Sequence, residues 1–261
     1  MAITIANESG STGQASDVLA QSCDYYGGLS AWRALRTVRL IPERLTGLVP
    51  WLKGVGKTFP LPTSFEINPH ELRTRFVGYP TPEHVGIFEN GAVRIERSSD
   101  AFVISRSDVH RRTFAWPSRA RRWTPLDALY FFGYALSHYH SLPFTLAQGR
   151  VIRVSAFGIG ADRITALDVE LPADLHTHCR RQRFYFDTAG KILRHDYHAE
   201  IVGWWARGAH YWNRQERFDG FPVSLERYVV ARLASLPCPL TALHATFADA
   251  EVIFDRTGVD A

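Results

Sequence analysis

The stretch that most limits what this chain can fold into runs from Leu171 to Arg232, where four strand-like segments follow one another with only turns between them. The first, about Thr177 to Phe186, breaks at Asp187-Thr188-Ala189-Gly190, where glycine supplies the positive φ that a tight turn needs. The second, about Lys191 to Ile201, ends at Gly203; the third, about Gly208 to Phe218, ends at Asp219-Gly220; the fourth, about Phe221 to Arg232, leads toward Pro237. Strands joined this closely must be antiparallel, because a parallel crossover needs about a dozen residues or more. What that sheet faces decides the function.

Further strands are spelled out on either side. Thr37 to Ile41, Glu71 to Val77, His84 to Phe88, Ala92 to Glu96, Ala101 to Ser105, Val151 to Ala156, Ile164 to Glu170 and Glu251 to Phe254 alternate or are β-rich, and Asn90-Gly91 is a strong hairpin signal. Ser16-Asp17 can cap a helix over about Val18 to Tyr26 that stops at Gly27-Gly28, and Ser30 to Leu35 adds a further turn or two. Between Leu45 and Pro69, four prolines and three glycines predict an irregular or edge segment. Its Gly54-Val55-Gly56-Lys57-Thr58 is not a phosphate-binding loop, since neither Pro50 nor Trp51 is the first glycine that motif requires.

The main helix opens at Thr124-Pro125-Leu126-Asp127, with Thr124 at N-cap, Pro125 at N1 and Asp127 at N3, and runs through Tyr139 before Pro143. Apolar and aromatic residues occupy nearly every side of it, and a helix apolar all round is buried. It is therefore expected against the concave side of the sheet, with Gly133 and Ala135 allowing a close approach or leaving space for a ligand. The expected organisation is a flexible N-terminus over 1–15, one domain over 16–256 and a polar tail over 257–261.

Composition excludes several classes. Lys+Arg 30 against Asp+Glu 26 gives a net charge of +4, too small an excess to imply nucleic acid. Six arginines fall between Arg106 and Arg122, and these are read as a solvated crossing loop rather than as contacts for an anionic group; RNA binding would need exposed aromatics interleaved with them. Cys23, Cys179 and Cys238 form no paired motif and suit a reducing compartment. Met1 to Gln14 is polar rather than signal-like, and no apolar run of about 20 residues spans a bilayer, so a cytoplasmic protein without stable membrane insertion is expected. Neither a Gly-x-Ser-x-Gly elbow nor a Rossmann glycine pattern occurs.

A set of residues in order along the chain carries a family resemblance. Tyr26-Gly27-Gly28-Leu29-x-x-Trp32-x-x-Leu35, Tyr130-Phe131-x-Gly133-Tyr134-Ala135-Leu136, Leu171-Pro172-Ala173-Asp174-x-x-Thr177-His178, Gln182-x-Phe184-Tyr185-Phe186 and Leu193-Arg194-His195-Asp196-Tyr197 resemble a bacterial family related to the LolA/LppX-like lipoprotein-carrier fold. The resemblance covers about Ser16 to Val230. It implies an α+β fold in which a strongly curved antiparallel half-barrel, open along one side, wraps around a central apolar helix and encloses a hydrophobic cavity. Carriers of that type hold acyl chains there.

Strand alternation sorts the candidate chemistry. His176 and His178 share a face if the strand includes both, while His195 and Tyr197 lie on one face of the next strand and Asp196, His198 and Glu200 on the other. Such a set has three readings: Zn²⁺ or iron ligands, a general base oriented by Asp196, or cross-strand hydrogen bonding. No metal and no cofactor is expected. His178, His195, Tyr185 and Tyr197 are the catalytic candidates, and Tyr130, Tyr134, His138, His210 and Trp212 the ligand-binding ones. His210, Tyr211 and Trp212 together with Trp204-Trp205 suggest an aromatic rim, and His138 and His140 sit where helix C-terminal carbonyls satisfy an imidazole. Two functions are carried forward: binding of a hydrophobic small molecule or lipid-like ligand, and a cofactor-free cyclase, isomerase or hydratase acting on an apolar, natural-product-like substrate. Convergence of two or more of His178, His195, Tyr185 and Tyr197 on one water-poor pocket favours the enzyme; an apolar lining favours the binder. Oligomeric state is left open.

Overall fold

The computed structural model describes residues 4–5, 9–55, 60–115, 120–233 and 236–255. Among them are four α-helices, α1 (Ser9–Tyr25), α2 (Gly28–Ala34), α3 (Leu48–Lys53) and α4 (Pro125–Ser141). The strands in the first half are β1 (Thr4–Ile5), β2 (Leu35–Thr46), β3 (Ser64–Asn68), β4 (Arg73–Val77), β5 (His84–Glu89), β6 (Ala92–Arg97) and β7 (Val103–Ser107). Those in the second half are β8 (Arg150–Phe157), β9 (Ile164–Glu170), β10 (Arg181–Phe186), β11 (Ile192–His198), β12 (Arg207–Phe218), β13 (Phe221–Leu233) and β14 (Leu236–Phe254). All belong to one sheet in the order β1-β8-β9-β10-β11-β12-β13-β14-β2-β3-β4-β5-β6-β7. Every pair is antiparallel except the two-residue pairing of β1 with β8, and the edges β1 and β7 do not meet.

The sheet curves around α4, because strands from both of its halves touch that one helix. On one side Thr74 of β4 donates its hydroxyl to the Gly133 carbonyl at 3.2 Å. On the other, Tyr139 lies 4.7 Å from the ring of His210 on β12, and His138 is 6.2 Å from His195 on β11. Register shifts along β13, β14 and β2 supply local bends. This is the strongly curved half-barrel around an apolar helix that the resemblance implies.

The turn chemistry is as expected. Asn90-Gly91 and Asp219-Gly220 both take positive φ at two successive residues, 42° and 91° in the first and 47° and 84° in the second. Asp187 accepts the backbone N–H of Ala189 and of Lys191, and Gly190 closes that hairpin at φ 85°. β12, β13 and the hairpin of β5 with β6 fall where the alternation placed them.

Four expectations are corrected. Helix α1 begins at Ser9 instead of Val18. The Pro/Gly-rich stretch includes helix α3, with Gly47 and Gly54 at its ends in positive-φ conformations. The strand expected from Thr177 starts at Arg181, because Leu171 to Arg180 is a loop, tied by Leu171 N–H to the Arg180 carbonyl at 2.8 Å and by Arg111 Nη1 to the Thr177 carbonyl at 2.8 Å. The last strand runs back to Leu236, its alternation blurred by three register shifts against β2. Gly56 to Thr58 of the loop-like motif, Arg119 and the 257–261 tail lie outside the described residues.

Helix α4 is anchored at its start by the full capping box. Asp127 accepts from Thr124 N–H and from the Thr124 hydroxyl, both at 2.7 Å. The same buried carboxylate takes a 2.9 Å hydrogen bond from His110 Nε2 and pairs with Arg121. Burial alone would raise its pKa, but donors from His110, Thr124 and Arg121 outweigh burial and hold it well below the usual carboxylate range. Farther along, Gly133 lies so close to β5 that a Cβ there would sit 2.2 Å from Phe88 Cβ. Of the clustered arginines, Arg106 pairs with Asp108, Arg111 with Glu200 and Arg121 with Asp127, so these three serve the fold's own carboxylates.

Two substitutions test this anchoring by urea unfolding. Asp127→Asn removes the charge that donors from three residues converge on and is expected to cost about 3 kcal/mol. Gly133→Ala forces the helix away from β5 and is expected to cost more than ~2 kcal/mol; a change under ~0.5 kcal/mol at either position contradicts the anchoring.

Candidate functional site

The candidate residues divide by face. His178 leaves the Leu171–Arg180 loop and points inward, where it is buried. Its Nδ1 meets the Tyr134 hydroxyl at 2.9 Å and its Nε2 the Tyr139 hydroxyl at 2.6 Å, while its ring stacks on Tyr197 at 3.9 Å. A neutral imidazole has one donor and one acceptor, so one tyrosine donates to His178 and the other accepts from it. His195 also faces inward; its Nε2 contacts Gln182 Oε1 at 2.5 Å and its ring stacks on Phe184 at 4.8 Å. Tyr185 stands on the outer face, donating its hydroxyl to Asp196 at 3.0 Å beneath the Arg194 guanidinium. It cannot join the other three, because β10 alternates and Gln182, Phe184 and Phe186 take the inner positions.

The main open space lies along one flank of α4. Ala128, Phe131, Phe132, Ala135, Leu136 and Tyr139 form the helix side of a cleft of about 80 Å³. The sheet side comes from Leu45, Phe65, Phe76, Val229, Leu243 and Phe247, with Tyr197, His210 and Arg227 among the polar members. A second chamber of about 130 Å³, bounded by Val49, Val202, Trp205 and Leu240, shares Phe131, Tyr197, Val229 and Leu243 with the first. The two are neighbours across those four side chains.

The other ligand-binding candidates lie elsewhere. Tyr130 and Tyr134 point to the packed flank of α4, where Tyr130 meets His176 Nδ1 at 2.8 Å. Their positions on the helix are those that face loop Leu171–Arg180, about 100° and more around from the cleft wall. His138 is buried against Phe184 and His195, with both ring nitrogens unpartnered, so the expected carbonyl partner is missing there. His140 does have it, through Nδ1 to the Leu136 carbonyl at 2.8 Å. Trp212 is buried beneath Arg227, whose guanidinium lies 4.1 Å from the ring centre. The expected aromatic rim is divided: His210 and Trp212 point inward, Tyr211 lies on the outer face by Arg194, and Trp204 is exposed.

Sequence reasoning therefore placed Tyr197, His210 and Ala135 at the cleft but did not single out Tyr139, Arg227 or the sheet side of the apolar wall. Arg227 carried a signal: Val223, Leu225, Arg227 and Val229 occupy one face of an alternating strand, so a cation interrupts an apolar row.

Electrostatically this interior holds its histidines neutral. Burial, the leading cause in each, lowers His138 to about 4 and His140 to about 3, and drives His178, His195 and His210 well below the usual imidazole range. The positive charge of Arg227 adds to the effect on His140, His195 and His210. Arg227 itself is pushed down to about 10 by burial, which leaves it a cation at neutral pH.

No family model matches the chain, and no curated protein does. Among solved structures it is similar to a LolA superfamily protein from Nitrosomonas europaea, at 8% identity and a TM-score of 0.45 over 90% of this chain and 92% of that one. It is also similar to a DUF1329 family protein from Desulfovibrio piger, at 10% identity and a TM-score of 0.43 over 93% of each chain.

Acid titration of stability tests the neutral interior. An unfolded histidine takes up its proton near pH 6.5, whereas these five stay neutral when folded until the pH is far lower, so protons favour the unfolded chain throughout that window. Stability is expected to be level above about pH 7.5 and to fall below pH 6.5 by up to about 1.4 kcal/mol per pH unit for each such histidine. Urea midpoints unchanged between pH 7.5 and 5 would contradict that burial.

Proposed function

We propose that this chain binds an apolar small molecule in the cleft between α4 and the concave face of β13, β14 and β2. The observation that carries this reading is the lining: aromatic and aliphatic side chains from two walls face each other across open space beside the central helix. A small-molecule site of this kind is concave, mostly apolar and furnished with a few polar groups that orient the guest. The second chamber beyond Phe131 and Tyr197 gives room for a guest longer than the first. Among the described residues no helix is long and apolar enough to cross a membrane.

The four residues expected to do acid/base work do not converge on the cleft, which supports the binder reading. Of His178, His195, Tyr185 and Tyr197, Tyr197 lines the cleft, while His178 spends both ring nitrogens on Tyr134 and Tyr139 and His195 lies packed against Phe184. A general base needs a free nitrogen within reach of the substrate.

Filling the cleft tests the reading. Ala135 is buried in its helix wall, and Ala135→Phe is expected to weaken binding of the neutral apolar dye Nile red at least tenfold while the unfolding midpoint stays within about 3 °C. Fluorescence titration of both proteins reads the result. Unaltered dye affinity in the variant, or no dye binding by the wild type, removes the cleft from consideration.

A further inference from the structure

A cation stands in the wall of the cleft with no counter-charge. Arg227 is 4% exposed, its Nε and Nη1 have no hydrogen-bond partner, and no carboxylate among the described residues pairs with it. Its guanidinium lies over the faces of Trp212 and Tyr139, at 4.1 and 5.2 Å from the ring centres. Such contacts offset part of the cost of removing a charge from water, but not the whole of it. Its other charged or titratable neighbours bring no anion either: Tyr26 and Tyr139 are held protonated by burial, and His140, His195 and His210 are neutral.

A second polar side chain shares the position. His210 is 1% exposed, lines the same cleft as Arg227, and has no partner on either ring nitrogen. Both contact the Tyr139 ring, His210 at 4.7 Å between centroids. Two unsatisfied buried donors therefore border a largely apolar space, whose lining also includes the exposed Arg44 and the half-buried Thr246. Behind Arg227, the gap bounded by Tyr26, His140 and Trp212 is about 10 Å³, room for a single water at most, so an organic anion has to approach from the larger cleft.

We propose that the guest is an amphipathic acid whose apolar body fills the cleft and whose single carboxylate sits against the Arg227 guanidinium and the N–H of His210. This deepens the reading above and rests on it. A planar guanidinium matches a carboxylate in geometry as well as charge, and the pairing is strongest where water is excluded. The arrangement also explains why a buried arginine persists in an apolar wall: it is left incomplete by the fold and completed by the guest.

Dodecanoate and dodecanol, equal in chain length and different in charge, separate the two proposals when titrated calorimetrically at pH 8. Wild-type protein is expected to prefer the acid by about ten- to hundredfold. Arg227→Leu is expected to lose that preference while holding dodecanol within about threefold, and to unfold at a higher temperature, since a lone buried charge is gone. Arg227→Lys retains part of the preference. His210→Phe, which keeps the aromatic packing, reduces it severalfold and gives an independent reading if Arg227→Leu does not fold. Equal affinity of the wild type for acid and alcohol, or a preference unchanged in Arg227→Leu, overturns the acid while leaving apolar binding in place. Failure of the wild type to bind either compound overturns both.

Discussion

The seating of α4 inside the curve of the sheet is the contact on which the remainder depends. At Gly133 the helix backbone comes within side-chain distance of Phe88, and Thr74 reaches over to the Gly133 carbonyl, so the helix is drawn onto β4 and β5. A rigid cylinder pressed against one wall of a curved sheet cannot also touch the opposite wall along its full length. The gap that results runs from Phe76 of β4 and Phe65 of β3 across to β2, β14 and β13, and it is there that the cleft opens. The flank toward the Leu171–Arg180 loop is filled instead by Tyr130, Tyr134, His176 and His178, whose hydroxyl and imidazole groups satisfy one another. The helix thus has a sealed side and an open one.

That division explains how many of the interior tyrosines and histidines are spent on packing against one another. Tyrosine and histidine pack as large flat bodies and need only one or two polar partners each. His178 obtains two from tyrosines of α4 and stacks on a third, which is a structural use of an imidazole. Arg227 is different in kind, because its charge cannot be titrated away near neutral pH and its surroundings supply aromatic faces in place of an anion. Among the polar groups of the cleft, Arg227 and His210 both keep buried nitrogens without a hydrogen-bond partner, and Arg227 alone of the two carries a charge.

The fold was legible where local chemistry is strict. The capping box at Thr124 and Asp127, the paired positive-φ residues at Asn90-Gly91 and Asp219-Gly220, and the four-strand run after Leu171 each depend on neighbours close in sequence, and each is present. Misreadings occurred where long-range contacts override the local pattern, or where the local pattern allows a second reading. Helix α3 forms among prolines and glycines because glycines at both ends accept the positive φ its entry and exit need. Thr177 to Arg180 reads as strand, yet Arg111 holds Thr177 in a loop from 66 residues away. β14 hides its length because register shifts interrupt the period of two.

For the site, the sequence by itself determined the inventory and the parity: a buried aromatic helix, His195 and Tyr197 on one face with Asp196 on the other, and an arginine within the apolar row of Val223, Leu225 and Val229. It did so because side-chain direction in a strand alternates whatever the strand packs against. Only the tertiary structure decided which flank of α4 was left open, and hence that Tyr139, His210 and Arg227 border the cleft while Tyr130, Tyr134 and His138 do not. A helix apolar all round offers several faces to its surroundings, and the choice among them is made by the close approach at Gly133, between segments more than forty residues apart.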